Sequence, residues 1–212
     1  MLRYLDVQNI LDKNDLILQE SGCVGSENER GNTYMKKIGI VTDSHSSISQ
    51  EEAEKLGIFV LPMPFYIDGE CFYESVTLSR ELFFEKLAAG ADITTSQPSP
   101  TAVMEIWDKA LEQFEKILYL PISSGLSGSY ETAMMLAKDE AYEGRVLVVD
   151  DGQVAAPLHQ MVLDTLDMIK KGYEAEQIRD LLERAGDRMM IYIALQTLEC
   201  LKKGGRVTPA AA

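Results

Sequence analysis

Short apolar runs and longer amphipathic stretches alternate along most of this chain. "IGIVT" (38–42), "KILYL" (116–120), "RVLVVD" (145–150) and "MMIYIAL" (189–195) are apolar almost throughout, as strands covered on both faces are. Between them the apolar spacing lengthens to that of helices. "SQEEAEKLG" (49–57) reads as a helix stopped by Gly57, and "SRELFFEKLAAG" (79–90) as one capped by Ser79 with Gly90 past its end. Residues 100–114, 129–138, 158–171 and 175–185 show the same spacing, and 197–203 reads as a short helix closed by Gly204-Gly205. Ser99-Pro100 is a start signal, because proline at the first helical position gives up a donor that had no intrahelical partner. "IFVLPMPFYIDGECFY" (58–73) reads as a strand followed by a hairpin turning at Asp68-Gly69, a pair suited to positive φ.

Strands alternating with helices of ten or more residues imply an α/β fold, a mostly parallel sheet with helices on both faces. Residues 2–19 can form an amphipathic helix and "ESGCVGSENERGN" (20–32) a polar linker, so residues 1–34 are expected to be an N-terminal extension. Residues 35–155 are expected to form the main α/β/α domain, and 156–212 the start of a smaller, truncated second α/β domain. "GGRVTPAAA" (204–212) stops where a Pro-led helix begins, which suggests a piece of something longer.

Charge narrows the partners. With 34 acidic against 20 basic side chains and a net charge of −14, bulk attraction to nucleic acid or an anionic membrane is excluded, leaving only a local basic patch at Lys202, Lys203 and Arg206. Cys23, Cys71 and Cys200 lack metal-ligand spacing and read as reduced thiols of a cytoplasmic protein. No signal-like leader or membrane-length apolar run is visible, so no stable membrane insertion is expected.

The chemistry concentrates in "TTSQPSP" (94–100) and "SSGLSGS" (123–129). Gly125-Leu126-Ser127-Gly128-Ser129 falls one residue short of the G-x-S-x-G elbow, and a nucleophilic serine also needs a base. Only His45 and His159 could serve, and His159 sits inside a helical pattern. A phosphate cradle fits no better, since neither P-loop nor dinucleotide spacing is present. The third reading is a nest for a single negative charge. Each loop precedes a helix, whose N-terminal N–H groups and dipole favour an anion, and Thr95, Ser96, Ser124 and Ser127 add hydroxyl donors. The competing reading is ordinary caps and tight turns. Asp43 is expected to organise its own turn. Asp150 and Asp151 lack a third metal ligand at suitable spacing, so no metal is expected. Gly204-Gly205 can aim Arg206 from a defined turn, toward an anion or an acidic surface.

"VTDSHSSI", "TTSQPSP", "ISSGLSGSY", "VLVVDD" and "TLECLKKGGRVTPAA" occur in the order and at the separations of the DegV family, which the chain resembles from about residue 36 to 212. The resemblance implies a bacterial fatty-acid-binding protein that buries a long-chain fatty acid in a tunnel between two α/β domains, with no other cofactor. It implies Thr95 and Ser127 as carboxylate partners and places the family's arginine after Gly-Gly at Arg206, for partner or head-group contact; Ser96, Ser124, Gly125 and Arg206 are the expected secondary contacts. Palmitate, stearate or oleate are the implied ligands. Some members serve as the acyl-carrying, non-catalytic subunit of a fatty acid kinase, which implies a kinase partner. The family's C-terminal histidine has no counterpart here, and "DDGQVAAPLHQ" (150–160) departs from the usual stretch. The expected function is therefore fatty-acid binding and presentation. A serine-dependent esterase acting through Ser127, or a non-binding fragment, are the alternatives. Phe65, Phe83, Phe84, Trp107 and Met134 are expected in the core.

Overall fold

A computed structural model describes residues 36–73, 76–192, 198, 201–202 and 204–206. The expected N-terminal extension, residues 193–195 of the expected last strand, and most of the short helix over 197–203 lie outside the described residues. From β1 (Lys36–Asp43) the chain runs through α1 (Gln50–Leu56) to β2 (Phe59–Leu61), then through a hairpin of β3 (Pro64–Ile67) and β4 (Glu70–Tyr73). Next come α2 (Arg80–Ala88), β5 (Ile93–Thr95), α3 (Pro100–Leu111), β6 (Phe114–Leu120) and α4 (Ser129–Leu136). β7 (Val146–Val148), α5 (Ala156–Lys170) and α6 (Ala175–Gly186) follow.

The apolar runs form a parallel sheet in the order β2-β1-β6-β7. Side chains alternate across it. Val41, Ile117, Tyr119, Val146 and Val148 turn toward α3 and α4, where they pack with the fully buried Trp107. The Trp107 ring meets Tyr119 edge-on at 5.5 Å and Tyr142 at 5.3 Å between centroids. The alternate residues Ile40, Leu118 and Leu120 are equally buried on the opposite face, which α5 and α6 cover. The fold is thus α/β, with helices on both faces of a parallel sheet. None of the helices among the described residues is long and apolar enough to cross a membrane.

Three sequence readings are corrected. Helix 100–114 stops at Leu111, and Phe114 instead begins β6. Its ring lies over Gly39, where an added Cβ would sit 2.6 Å from the ring carbons. Residues 94 and 95, read as loop, are strand: β5 pairs antiparallel with β3 in the register Phe65↔Thr95 and Ile67↔Ile93. With β4 it makes a separate three-stranded sheet, β4-β3-β5. The expected hairpin turn is present, Asp68 at φ 51° and Gly69 at φ 86°. Residues 189–192, the described part of the expected last strand, are not in a strand.

The 150–155 segment ties the strand ends together. Its backbone carbonyl at Gln153 accepts the Ser123 N–H (2.9 Å), and the Ala155 N–H reaches the His45 carbonyl (2.7 Å). Asp151 is fully buried within it. One carboxyl oxygen accepts the Gln153 N–H at 2.9 Å, while Oδ2 has no partner among the described residues. Burial pushes its pKa up to about 7, against the lowering effect of the Gln153 hydrogen bond and with help from Asp150 and Asp43. α6 approaches so closely that a Cβ on Gly186 would fall 2.1 Å from the Asp151 carbonyl oxygen.

Gly39→Ala should therefore lower stability by about 1–3 kcal/mol through overpacking against Phe114, measured by urea denaturation. The Asp151 site makes a second prediction. Because its folded pKa is raised, the native state keeps a proton that the unfolded chain releases above about pH 4. Stability from this group is complete below that point and is lost as pH rises through about 7. In melts across that window, Asp151→Asn should gain relative to the parent as pH increases; a constant difference would contradict the assignment.

Candidate functional site

The carboxyl ends of β1 and β6 are joined by one buried carboxylate. Asp43 ends β1 with no exposed surface; its Oδ1 accepts the His45 N–H (2.9 Å) and its Oδ2 the Ile122 N–H (2.8 Å). The first bond caps a single 3-10 turn, Ser44–Ser46, which Ser47 leaves at φ 59°. The second fixes the start of the serine-rich loop. Ser44 adds a tie in the other direction, its Oγ accepting the Met63 N–H at 3.1 Å. Asp43 thus has the organising role expected of it, and extends it to a second loop.

Beside these strand ends lies a cavity of about 510 Å³. Its apolar wall includes Ile48, Val60, Met63, Phe65, Phe83 and Phe84. Its polar side includes Ser44, His45, Thr95, Ser96, Ser127 and Arg206. Not one described lining residue is an aspartate or glutamate, in a chain that carries 34 of them. The sequence reading that placed Phe65, Phe83 and Phe84 in the core is thereby corrected. Phe65 stacks on Phe72 and meets Phe83 edge-on, forming an aromatic path from the small sheet onto α2. α2 shows no sharp apolar stripe, and Phe84 is half exposed. Trp107 is core as expected; Met134 is partly exposed on α4.

Thr95 and Ser127 line the same cavity, but they arrive by different routes. Ser127 precedes α4, where Gly128 supplies no side-chain cap. Its Oγ accepts the Ser129 N–H at 3.3 Å and shares a 2.7 Å hydrogen bond with the Ser129 hydroxyl. Thr95 comes instead from the end of β5. The start of α3 is capped by Ser99, whose Oγ accepts the Ala102 N–H at 3.2 Å, so the helix-terminus argument applies to Ser127 and not to Thr95. Gln97 closes the gap between the loops: its Oε1 accepts the Thr132 hydroxyl at 3.4 Å and lies 3.1 Å from where a Cβ on Gly128 would stand.

Arg206 also lines the cavity and is aimed from a closed turn. Gly205, at φ 70°, lets its N–H reach the Lys202 carbonyl (3.0 Å) and the Arg206 N–H reach that of Leu201 (2.8 Å), the paired bonds of a Schellman end. From there the Arg206 Nε donates to the Leu126 carbonyl at 3.0 Å, inside the serine-rich loop. Ser96 is in the lining as well, with its Oγ donating to the Gln97 carbonyl at 3.1 Å. Ser124 and Gly125 are not in the lining. Their N–H groups bond to Asp150 Oδ1 and Ser123 Oγ, at 3.4 and 3.2 Å.

The arrangement does not resemble an activated serine. The Ser127 hydroxyl is engaged with Ser129, and among the described residues no hydrogen bond joins it to His45. His45 turns Nδ1 toward Asp43 Oδ1 at 3.3 Å. His159 is on α5, its Nε2 3.2 Å from Glu52 Oε1. Sequence reasoning treated His45 only as a candidate base and passed over Ser44 as a lining residue. The signal available was their place in a strand-end loop beside Asp43.

Comparison with known proteins agrees with this architecture. The sequence profile described as "Uncharacterised protein, DegV family" matches residues 37–212. A DegV domain-containing protein of Streptococcus pneumoniae is 35% identical over 179 residues, covering 83% of this chain and 63% of that protein. The solved structure of a fatty-acid-binding DegV family protein from Thermus thermophilus superposes with a TM-score of 0.71 at 32% identity, covering 82% of this chain and 62% of that one. A stearic-acid-binding protein from Eubacterium ventriosum gives a TM-score of 0.68 at 25% identity, with 82% and 63% covered. The chain thus spans just under two thirds of each relative's length. With the profile matching nearly all of the chain from β1 onward, this chain belongs to the DegV family.

Proposed function

We propose that this chain binds a long-chain fatty acid such as palmitate, stearate or oleate, with the carboxylate held by Thr95 and Ser127 and the tail against the aromatic wall. The observation that carries the reading is the lining itself. Apolar side chains share one cavity with hydroxyls and Arg206, and none of its described lining residues carries a carboxylate. Fatty acids in the Thermus thermophilus and Eubacterium ventriosum relatives support the same ligand class.

Magnitudes divide the labour. Each buried methylene contributes about 0.8 kcal/mol, so a long tail supplies on the order of 10 kcal/mol before association costs. A hydrogen bond to a charged head adds about 1.5–3 kcal/mol, which sets orientation and offsets part of the desolvation of the carboxylate. In this reading residues 35–155 form the head-group domain, and residues 156–212, as part of a second domain, add Arg206. The chain acts in the cytoplasm as a carrier rather than a catalyst. A kinase partner would transfer the terminal phosphoryl group of a nucleoside triphosphate to a carboxylate oxygen, giving an acyl phosphate and a nucleoside diphosphate.

Native mass spectrometry after incubation with palmitate should show one fatty acid per chain. Bare protein throughout would favour a non-binding fragment, and stoichiometric fluorophosphonate labelling of Ser127 would favour an esterase. Thr95→Ala and Ser127→Ala should each weaken palmitate binding about tenfold or more, as loss of a charge-assisted hydrogen bond does. Ser127→Ala should also cost about 1 kcal/mol of stability, because Ser127 accepts the first free N–H of α4. Palmitate affinity unchanged in both variants would move the head-group site elsewhere.

A further inference from the structure

Of the four buried serine and threonine side chains among the described residues, three give their hydroxyl proton to a backbone carbonyl. Thr42 donates to Leu120 at 2.8 Å, Ser46 to Asp43 at 2.8 Å and Thr165 to Met161 at 2.7 Å. Ser129 is the exception. It is 3% exposed, and its Oγ meets another hydroxyl, that of Ser127, at 2.7 Å. A serine inside a helix can bond the carbonyl four residues back, as Thr165 does, but Ser129 is the first residue of α4 and has no helical carbonyl there.

Two hydroxyls in contact carry two protons, and only one of them lies between the oxygens. Burial decides which. Were Ser127 the donor, the Ser129 proton would be left at a buried position with no other partner among the described residues, which costs about 1–3 kcal/mol. With Ser129 as the donor its proton is satisfied, and the remaining proton belongs to Ser127, which is only part-buried and lines the cavity. The Ser127 oxygen also accepts the Ser129 N–H at 3.3 Å. A serine hydroxyl has two lone pairs and one proton, so the two donors of Ser129 leave Ser127 only its proton to offer.

We propose that Ser129 is a positioning residue for the head group: its buried hydroxyl donates to Ser127 Oγ and so makes Ser127 a pure donor toward the ligand. This rests on the fatty-acid reading above. A carboxylate only accepts, so it matches a site that can only donate, and the bond is strengthened by its charge. Hexadecanol, with the same chain length as palmitate, can donate or accept and does not depend on which way the Ser127 proton points.

Equilibrium binding of radiolabelled palmitate and hexadecanol to the parent, Ser129→Ala, Ser127→Ala and the double variant tests the assignment. Alanine at 129 removes the side-chain donor and keeps the backbone N–H. Ser129→Ala should weaken palmitate binding about fivefold and leave hexadecanol within about twofold. Added to Ser127→Ala, it should change palmitate affinity by less than about twofold, because no serine is left to orient. Unchanged palmitate affinity in Ser129→Ala, with Ser127→Ala impaired, would overturn the role of Ser129 and spare the fatty-acid reading. An equal fall for both ligands, or in both the parent and the Ser127→Ala background, would make Ser129 a purely structural residue and also overturn it. Unimpaired palmitate binding in Ser127→Ala, or none by the parent, would bring down the head-group reading and this assignment together.

Discussion

The site depends on the buried Asp43 carboxylate. Two N–H groups from different loops, those of His45 and Ile122, converge on its two oxygens. Hydrogen bonds to a charged acceptor contribute about 1.5–3 kcal/mol each, enough to offset much of the cost of burying that charge. Their larger consequence is geometric. Parallel strands leave their carboxyl-end loops side by side with no hydrogen bonds of their own, and a ligand crevice forms there only if those loops hold their shape. Asp43 connects the loops that follow β1 and β6, and the 150–155 segment extends that connection through Ser123 and His45.

Around that anchor the sequence separates two jobs. The parallel sheet with its Trp107 cluster is packed tightly enough that Gly39 has no room for a methyl group beside Phe114. The small antiparallel sheet and α2 bring Phe65, Phe83 and Phe84 to the cavity rather than to the core. A rigid frame that presents polar loops, set against a more open apolar wall, suits a ligand with a small head and a long featureless tail. Specificity for the head can be built from a few fixed donors, while the wall contributes through area alone.

Much of the fold is legible in the order of residues. Apolar runs with helical stretches between them specify the parallel sheet, and Asp68-Gly69 marks a turn whose φ angles are both positive. Ser79, Ser99 and Gly57 mark helix ends in the places the structure shows. β5 was not legible, because the pairing Phe65↔Thr95 is made across nearly thirty residues and leaves only three residues in strand. The same pairing is why Thr95 enters the cavity from a strand and not from a helix terminus. Phe83 and Phe84 look like core residues in composition, and only the open packing of α2 reveals them as cavity wall.

The proposed function stands on one acid head group meeting Thr95 and Ser127 at the polar end of this cavity. A crystal structure of the protein with palmitate tests it most directly. The expected result is a carboxylate oxygen within about 3.2 Å of both the Thr95 and the Ser127 hydroxyls, with the tail along Phe65 and Phe83. Palmitate seated with its methyl end at those hydroxyls, or bound outside the cavity, would contradict it.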